Sequence, residues 1–223
     1  MDDCYFIDLR KYSLDKFKMS LQNRELIPSR VMLKEGIEDK FGLLKKQGIR
    51  SLYDLTDVLK TKPKLVQFSR STGLSEQYLT LLKREAGSVH PAPVPLNKFP
   101  GISNETVNRL VAAGIRNSRQ LFERVRTPKE RKNLSELSQV PLEQIEALAG
   151  LCDLVRLYGV GPVFARMLYD IGIRSVAGFL SYEPEAIVRR YEEVTGKKAD
   201  FSARDIAYSL ELAKELKIVL QTG

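Results

Sequence analysis

The amino-acid sequence predicts an all-α fold, and three observations support that prediction. Apolar residues recur at helical spacing, as at Val163 and Met167, whereas strand-like alternation is nearly absent. The phrase Gly-Ile-Arg occurs at residues 48–50, 114–116 and 172–174, inside segments of this helical pattern. Serines and prolines also stand where the apolar periodicity begins, which is typical of helix starts.

The three copies of Gly-Ile-Arg indicate an internal repeat. The first two copies are 66 residues apart and the last two are 58 apart, and surrounding apolar residues keep the same register, as in Leu44, Leu110 and Leu168. We therefore expect three helical modules. The predicted segments are an N-terminal helical extension at 1–30, a degenerate module at 31–90, a proline-rich linker at 91–95, a second module at 96–155 and a third at 156–223.

Local signals predict where single helices begin and end. A serine hydroxyl can accept a hydrogen bond from the first N–H groups of a helix. Serines suited to this role are Ser51, Ser75, Ser103, Ser118 and Ser202. Asp54 and Asp205 follow two of them by three residues, as in a capping box. Prolines expected in first turns are Pro128, Pro141, Pro162 and Pro184. Glycines that suit the left-handed position after a helix are Gly48, Gly114 and Gly172.

The stretch from His90 to Pro95 contains three alternating prolines. Each proline removes a backbone donor and biases the preceding residue toward extended backbone, so we expect a semi-stiff spacer without packed neighbours. No such break separates the second and third modules, which should pack as one unit. Their expected shared core is Leu148, Leu151, Cys152 and Val155.

Composition excludes several classes of protein. Apolar residues make up 43% and charged residues 29% of the chain, which is the balance of a soluble globular protein. Charged residues interrupt the first thirty positions, and no apolar run is long enough to span a bilayer, so no membrane partner is expected. With only two cysteines, the chain suits a reducing compartment, and we expect an intracellular, cytoplasmic protein.

The sequence offers no visible catalytic constellation. His90 is the single histidine, which leaves no histidine-based metal cluster, and no glycine-rich nucleotide-binding loop follows a strand-like run. No nucleophile, base and orienting group can be named together. We therefore expect a non-enzymatic protein with no cofactor, no metal site and no catalytic residues.

The phrase from Leu157 to Leu168, which contains Gly159-Val160-Gly161-Pro162, resembles the helix-hairpin-helix motif. In that motif two helices meet at a Gly-hydrophobic-Gly turn, whose glycines let backbone approach backbone and whose exposed N–H groups bind a nucleic-acid phosphate. Val163 stands where the DNA-binding form commonly has a lysine or arginine, and Arg166 is the nearest cation.

The other two modules match this motif less well. Gly101-Ile102-Ser103 replaces the second glycine with a serine that can cap the next helix. The first module has Glu35-Gly36-Ile37-Glu38, where a carboxylate would repel a phosphate, so we expect that hairpin to be structural only. Gly159 and Gly161 also suit a purely structural role, in which they let two helices touch.

The whole chain resembles a family of tandem helix-hairpin-helix proteins catalogued as a domain of unknown function. The resemblance runs from Ser13-Leu14-Asp15-Lys16-Phe17-Lys18, through Leu26-Ile27-Pro28-Ser29-Arg30, to the Gly159 phrase. It implies the fold but names no activity. The segment from Leu168 to Leu180 is also similar to the C-terminal helical domain of the bacterial RNA polymerase α subunit, which contacts DNA and protein regulators.

The charge distribution favours a polyanionic partner. The formal net charge is +8, divided as +1 in residues 1–30, +4 in 31–90, +3 in 91–150 and 0 in 151–223. The densest basic run, here called the basic segment, consists of Arg116, Arg119, Arg124, Arg126, Lys129, Arg131 and Lys132. These cations alternatively form a solvated helical surface.

The sequence thus predicts binding to nucleic-acid backbones, with DNA as the expected nucleic acid, without strong sequence preference. The expected binding residues are Gly101, Ile102, Ser103, the basic segment, Gly159, Val160, Gly161 and Arg166. The alternative is a scaffold that holds a protein partner in grooves between the modules.

Overall fold

The computed structural model describes residues 4–221, and within them the chain is all α. It divides into two compact units, described separately below. The small unit comprises residues 7–89, and the large unit comprises residues 4–6 and 90–221. No helix in the described part of the chain is both long and apolar enough to cross a bilayer.

The small unit contains five α-helices and one 3-10 helix. They are α1 (Leu14–Asn23), the 3-10 helix Pro28–Leu33, α2 (Ile37–Lys46), α3 (Leu52–Val58), α4 (Lys62–Thr72) and α5 (Glu76–Gly87). Helix α5 packs on α3, α4 and the 3-10 helix, and α1 packs on α2. The rings of Phe17 and Phe41 are buried in its core.

The large unit begins its helical part with a 3-10 helix and continues with eight α-helices. They are the 3-10 helix Leu96–Lys98, α6 (Asn104–Ala112), α7 (Ser118–Phe122), α8 (Pro128–Ser138), α9 (Leu142–Leu154), α10 (Pro162–Asp170), α11 (Val176–Leu180), α12 (Pro184–Thr195) and α13 (Ala203–Ala213). Helix α9 packs on α7, α8 and α10. The expected shared core is confirmed, because Leu148, Leu151, Cys152 and Val155 are all buried.

The same order of four helices recurs as α2–α5, α6–α9 and α10–α13. A glycine of the Gly-Ile-Arg phrase stands two residues after the end of the first helix of each set, with φ of +82° at Gly48, +82° at Gly114 and +92° at Gly172. The following isoleucine donates its N–H to the helix five residues back, as Ile115 does to Leu110 at 2.9 Å. This Schellman-type ending confirms the predicted left-handed glycines.

Most of the predicted helix starts are confirmed. Ser51, Ser75, Ser103 and Ser202 cap their helices through the side chain, and the boxes with Asp54 and Asp205 form. The prolines of α8, α10 and α12 occupy first turns, whereas Pro141 lies one residue earlier, at the N-cap.

The predicted cap at Ser118 is wrong. Asn117 caps α7, because its side chain accepts the Gln120 N–H at 3.0 Å. The Ser118 hydroxyl is instead buried and accepts the Val94 N–H at 2.9 Å. The Ser118 hydroxyl thus bonds to Val94, a residue distant in sequence, and not to the helix end that the local pattern predicted.

The proline-rich stretch is extended as predicted, but it is not free of neighbours. The Ser118 N–H donates to the Val94 carbonyl at 2.8 Å, and the Leu96 N–H donates to the Arg116 carbonyl at 3.1 Å. At its start, the His90 ring stacks on Phe6 with centroids 4.7 Å apart. The prolines that block helix formation therefore leave a strand-like segment that pairs with residues 116–118.

Candidate functional site

The two glycines of the turn between α9 and α10 have different backbone conformations. Gly159 has a φ of +75°, in the left-handed region that glycine adopts without steric cost. Val160 is buried, and its N–H donates to the Leu157 carbonyl at 3.2 Å. Gly161 has ordinary extended backbone, and a Cβ at Gly159 or Gly161 would meet no neighbour within 4 Å. The expectation that these glycines serve a close backbone approach is therefore wrong.

Helices α6 and α10 begin with different capacities for an anion. In α6 the Ser103 hydroxyl already accepts the Thr106 N–H at 3.1 Å, and Glu105 lies in the first turn. In α10 no side chain caps the N-terminus, and no acidic residue lies in the first turn. Unpaired N–H groups and the helix dipole favour an anion there. The local geometry thus favours the Gly159 turn over the Gly101 turn as a phosphate site.

Arg166 joins the Gly101 turn to α10. Its Nε donates to the Pro100 carbonyl at 3.0 Å, and its guanidinium lies over Gly101, where an added Cβ would be 2.9 Å from Nη2. Its Nη1 is 3.5 Å from Asp170. Two of the predicted site residues, Gly101 and Arg166, are therefore brought together, and the Arg166 charge is partly engaged by protein groups.

The backbone pairing at residues 94–96 brings Arg116, the first residue of the basic segment, close to the approach to the Gly101 turn. The Leu96 N–H bonds the Arg116 carbonyl, and the 3-10 helix that starts at Leu96 carries the exposed Lys98. That helix leads directly into the Gly101 turn. Lys98 was not singled out from the sequence, because an isolated lysine has no distinguishing pattern.

Exposure divides the basic segment. Arg116, Arg124, Lys129 and Lys132 are exposed, and Arg119 and Arg126 are half-buried. Arg119 lies 3.4 Å from Glu123. Arg131 is only 5% exposed and donates from Nη1 to the Val125 carbonyl at 3.1 Å. Its guanidinium belongs to the interior, so the structure removes Arg131 from the exposed basic surface.

The first turn of α2 in the small unit contains a carboxylate, as the first turn of α6 does, whereas the first turn of α10 contains none. Glu38, in the first turn of α2, accepts hydrogen bonds from Lys18 at 2.7 Å and from Gln22 at 2.9 Å. The Lys18 contact is the main cause that lowers the pKa of the Glu38 carboxyl. A charged carboxylate at this helix N-terminus disfavours a second anion.

A buried ion pair lies in the interior of the large unit. Asp153 pairs with Arg156 and accepts the Val176 N–H at 2.7 Å. Burial raises the pKa of the Asp153 carboxyl, and both partners oppose that rise. Arg156 also donates to the carbonyls of Cys4 and Lys217. The pair connects segments of the interior and offers no exposed group to a ligand.

A polar cleft of about 200 Å³ opens between the starts of α6 and α9. The Thr106 hydroxyl in its wall donates to Gln144 Oε1 at 2.6 Å, and Arg109 pairs with Glu105. These side chains bond to one another rather than converge on an empty centre. Within residues 4–221, no group of three or more His, Cys, Asp and Glu side chains is placed to hold a metal ion.

The sequence analysis missed an aromatic contact between α10 and the loop that joins α12 to α13. The Phe164 ring packs edge-on against Phe201, with centroids 5.0 Å apart, and the loop that carries Phe201 also contains the exposed Lys197 and Lys198. Thirty-seven positions separate the two phenylalanines in the chain. Helical periodicity gives no sign of such a contact.

Comparison with known proteins places the chain in a family. The model of the family described as a domain of unknown function (DUF4332) matches residues 100–216, which lie within the large unit. The chain belongs to this family. No curated protein and no solved structure matches it.

Proposed function

We propose that the large unit binds nucleic-acid backbones, most simply DNA, without strong sequence preference and without catalysis. In this proposal α9 and α10, which pack together around the Gly159 turn, act as a helix-hairpin-helix, and α6 opens a second, degenerate one. A phosphate binds the uncapped start of α10, and exposed cations of the basic segment hold further phosphates.

One observation supports this proposal above the others: hydrogen bonds connect Arg116, the approach to the Gly101 turn and Arg166 of α10. The pairing of residues 94–96 with 116–118 holds the start of the basic segment beside the approach to the Gly101 turn. Arg166 then connects that turn to α10. A surface that binds a nucleic acid needs several phosphate contacts in one region, because affinity grows with the number of counterions released.

The test is a titration of a labelled DNA duplex at several salt concentrations. With about four to six phosphate contacts, log K falls with log salt at a slope of roughly −3.5 to −5.5. Affinity should change little when the duplex sequence is scrambled, because backbone contacts carry no base information.

Paired variants locate the surface. Arg116→Glu with Lys132→Glu should abolish binding, because both side chains are exposed cations of the basic segment. Lys60→Glu with Arg70→Glu makes the same charge change at exposed cations of the small unit and should leave most binding intact. The proposal is contradicted if the chain does not bind the duplex at low salt, or if its affinity does not depend on salt concentration.

A second candidate function is a protein-binding scaffold. Its specific support is Val163, which is 70% exposed at the second position of α10, where a cation would serve a phosphate better. Leu137 on α8 is similarly exposed, at 68%. In the duplex titration this candidate predicts no binding at any salt concentration.

A further inference from the structure

The arginines that end the three Gly-Ile-Arg phrases have different surroundings. In the small unit, Arg50 donates from Nη1 to the Lys45 carbonyl at 2.8 Å, so its guanidinium is bonded to the last turn of α2. In the large unit, Arg116 and Arg174 are exposed, and neither guanidinium forms a hydrogen bond or ion pair with another residue of the range 4–221. The repeated phrase thus leaves two arginines of the large unit with donors available to a ligand.

The Tyr169 ring orders the side chain of Arg174. The guanidinium carbon of Arg174 lies over this ring, 5.1 Å from its centroid, which is within the range of a cation–π contact. The ring is itself packed against α9, because a Cβ added at Gly150 would be 2.9 Å from ring carbon Cε2. A guanidinium held over a ring keeps N–H donors along its edge, and their fork matches the oxygens of a phosphate.

The same ring connects Arg174 to the Gly101 turn. The guanidinium carbon of Arg166 is 5.7 Å from the Tyr169 centroid, and Arg166 Nε donates to the Pro100 carbonyl at 3.0 Å. Taken in series, these contacts place the Arg174 guanidinium within about 15 Å of the Pro100 carbonyl, which is the length of about four nucleotides in a duplex. Asp170 lies 3.5 Å from Arg166 Nη1 and offsets part of the Arg166 charge.

We infer that Arg174 binds a backbone phosphate of a nucleic-acid strand, as the counterpart in the third helix set of Arg116 in the second. The inference rests on the proposed function, and it adds a contact that lies outside the basic segment and outside the Gly159 turn. Residues 151–223 carry no net charge, so the charge distribution gave no sign of it. A strand that crosses the Gly101 region extends far enough to reach Arg174.

The experiment titrates a labelled duplex with single variants of the full chain. Arg174→Gln removes the inferred contact, and it should make the salt slope shallower by about 0.9 and weaken binding about 8-fold at 0.1 M salt. The matched control is Arg50→Gln, which makes the same change at the same position of the phrase in the small unit and should alter neither quantity. Circular dichroism melting checks that each variant is folded.

Arg174→Lys separates the charge from a structural role of the side chain. It keeps the cation and should restore the wild-type salt slope, although a lysine cannot form the paired hydrogen bonds of a guanidinium. A side chain that served packing alone would change the melting temperature and leave the salt slope of all three variants equal.

Each outcome decides a separate point. If the wild-type chain does not bind the duplex, the proposed function fails, and the inference fails with it. The inference alone is overturned if the wild type binds and Arg174→Gln keeps its affinity and slope, or if Arg50→Gln loses as much. It is also overturned if Arg174→Lys leaves the salt slope as shallow as Arg174→Gln does.

Discussion

At the scale of single residues, a glycine inside a helix allows another segment of backbone to approach closely. Gly150 lies inside α9, and a Cβ there would be 2.6 Å from the Arg174 carbonyl oxygen and 2.9 Å from the Tyr169 ring. Backbone from the connection between α10 and α11 thus rests directly on α9. A glycine within a helix costs about 1 kcal/mol relative to alanine, and here the contact explains its presence.

Alanine should therefore have opposite effects at two helical glycines. Gly42→Ala in α2 should raise the free energy of unfolding by about 1 kcal/mol, because apart from the adjoining residues and the helix's own backbone no atom lies within 4 Å of the added Cβ. Gly150→Ala makes the same propensity gain but forces the Arg174 carbonyl and Tyr169 away, which costs about 1–3 kcal/mol. Its net effect should be destabilising.

Urea denaturation of both single variants measures whether each substitution raises or lowers the free energy of unfolding. A stability increase for Gly150→Ala equal to that for Gly42→Ala would show that the α9 contact with Arg174 does not constrain this position.

At the scale of helices, α6 and α10 are corresponding elements with different N-caps. Ser103 caps α6, whereas Gly161 leaves the start of α10 without a side-chain cap. Gly161 has a φ of −83° and open space around its Cβ position, so the backbone accepts a serine there. The difference between the helices is therefore a choice of residue and not a constraint of the fold.

Gly161→Ser should separate stability from binding. The new hydroxyl should accept an N–H in the first turn of α10, as Ser103 does in α6, and should raise the free energy of unfolding by a few tenths of a kcal/mol. It should weaken duplex binding several-fold, because the N–H offered to a phosphate is then occupied. Thermal melting and the duplex titration measure both effects.

The matched control is Ser103→Gly, which uncaps α6 and should cost only a few tenths of a kcal/mol. If Gly161→Ser leaves duplex affinity unchanged, the start of α10 does not hold a phosphate, and the exposed cations must account for any binding.

The helix ends also show how far sequence reasoning reaches. Ser202 and Asp205 form a capping box with donors within three residues, so their roles follow from local pattern. Arg166 finds its acceptor at Pro100, 66 positions away, and Arg131 turns inward to Val125 although it stands in a run of cations. Such roles depend on which helix faces pack together, and helical periodicity alone leaves that choice open.

At the scale of the whole molecule, the first residues belong with the last helices. Residues 4–6 form part of the large unit, the chain then builds the small unit, and it returns to the large unit at His90. Arg156, a buried residue, donates from Nε to the Tyr5 carbonyl at 3.0 Å. The segment 1–30, one extension in the sequence analysis, is therefore shared between the two units.

Tyr5 makes the N-terminal segment part of the core. Its ring is buried and packs edge-on against Phe122 with centroids 5.6 Å apart, and its hydroxyl is 2.5 Å from Ser118 Oγ. Burial is the main cause that raises the pKa of this hydroxyl. Removal of the ring would leave a cavity beside α7 and α9, which an interior of ordinary packing density cannot close fully.

Tyr5→Ala in the full chain should therefore destabilise the large unit by about 3–5 kcal/mol while the small unit keeps its stability. Hydrogen exchange followed by peptide mass analysis measures both: amides of α7 and α9 should exchange faster, and those of α3 to α5 should be unchanged. Tyr53→Ala, at an exposed ring of the small unit, is the control. It should change the stability of neither unit by more than about 0.5 kcal/mol. Equal loss of protection in both units after Tyr5→Ala would mean that they unfold as one, and the division of the chain at residues 6 and 90 would then carry no thermodynamic meaning.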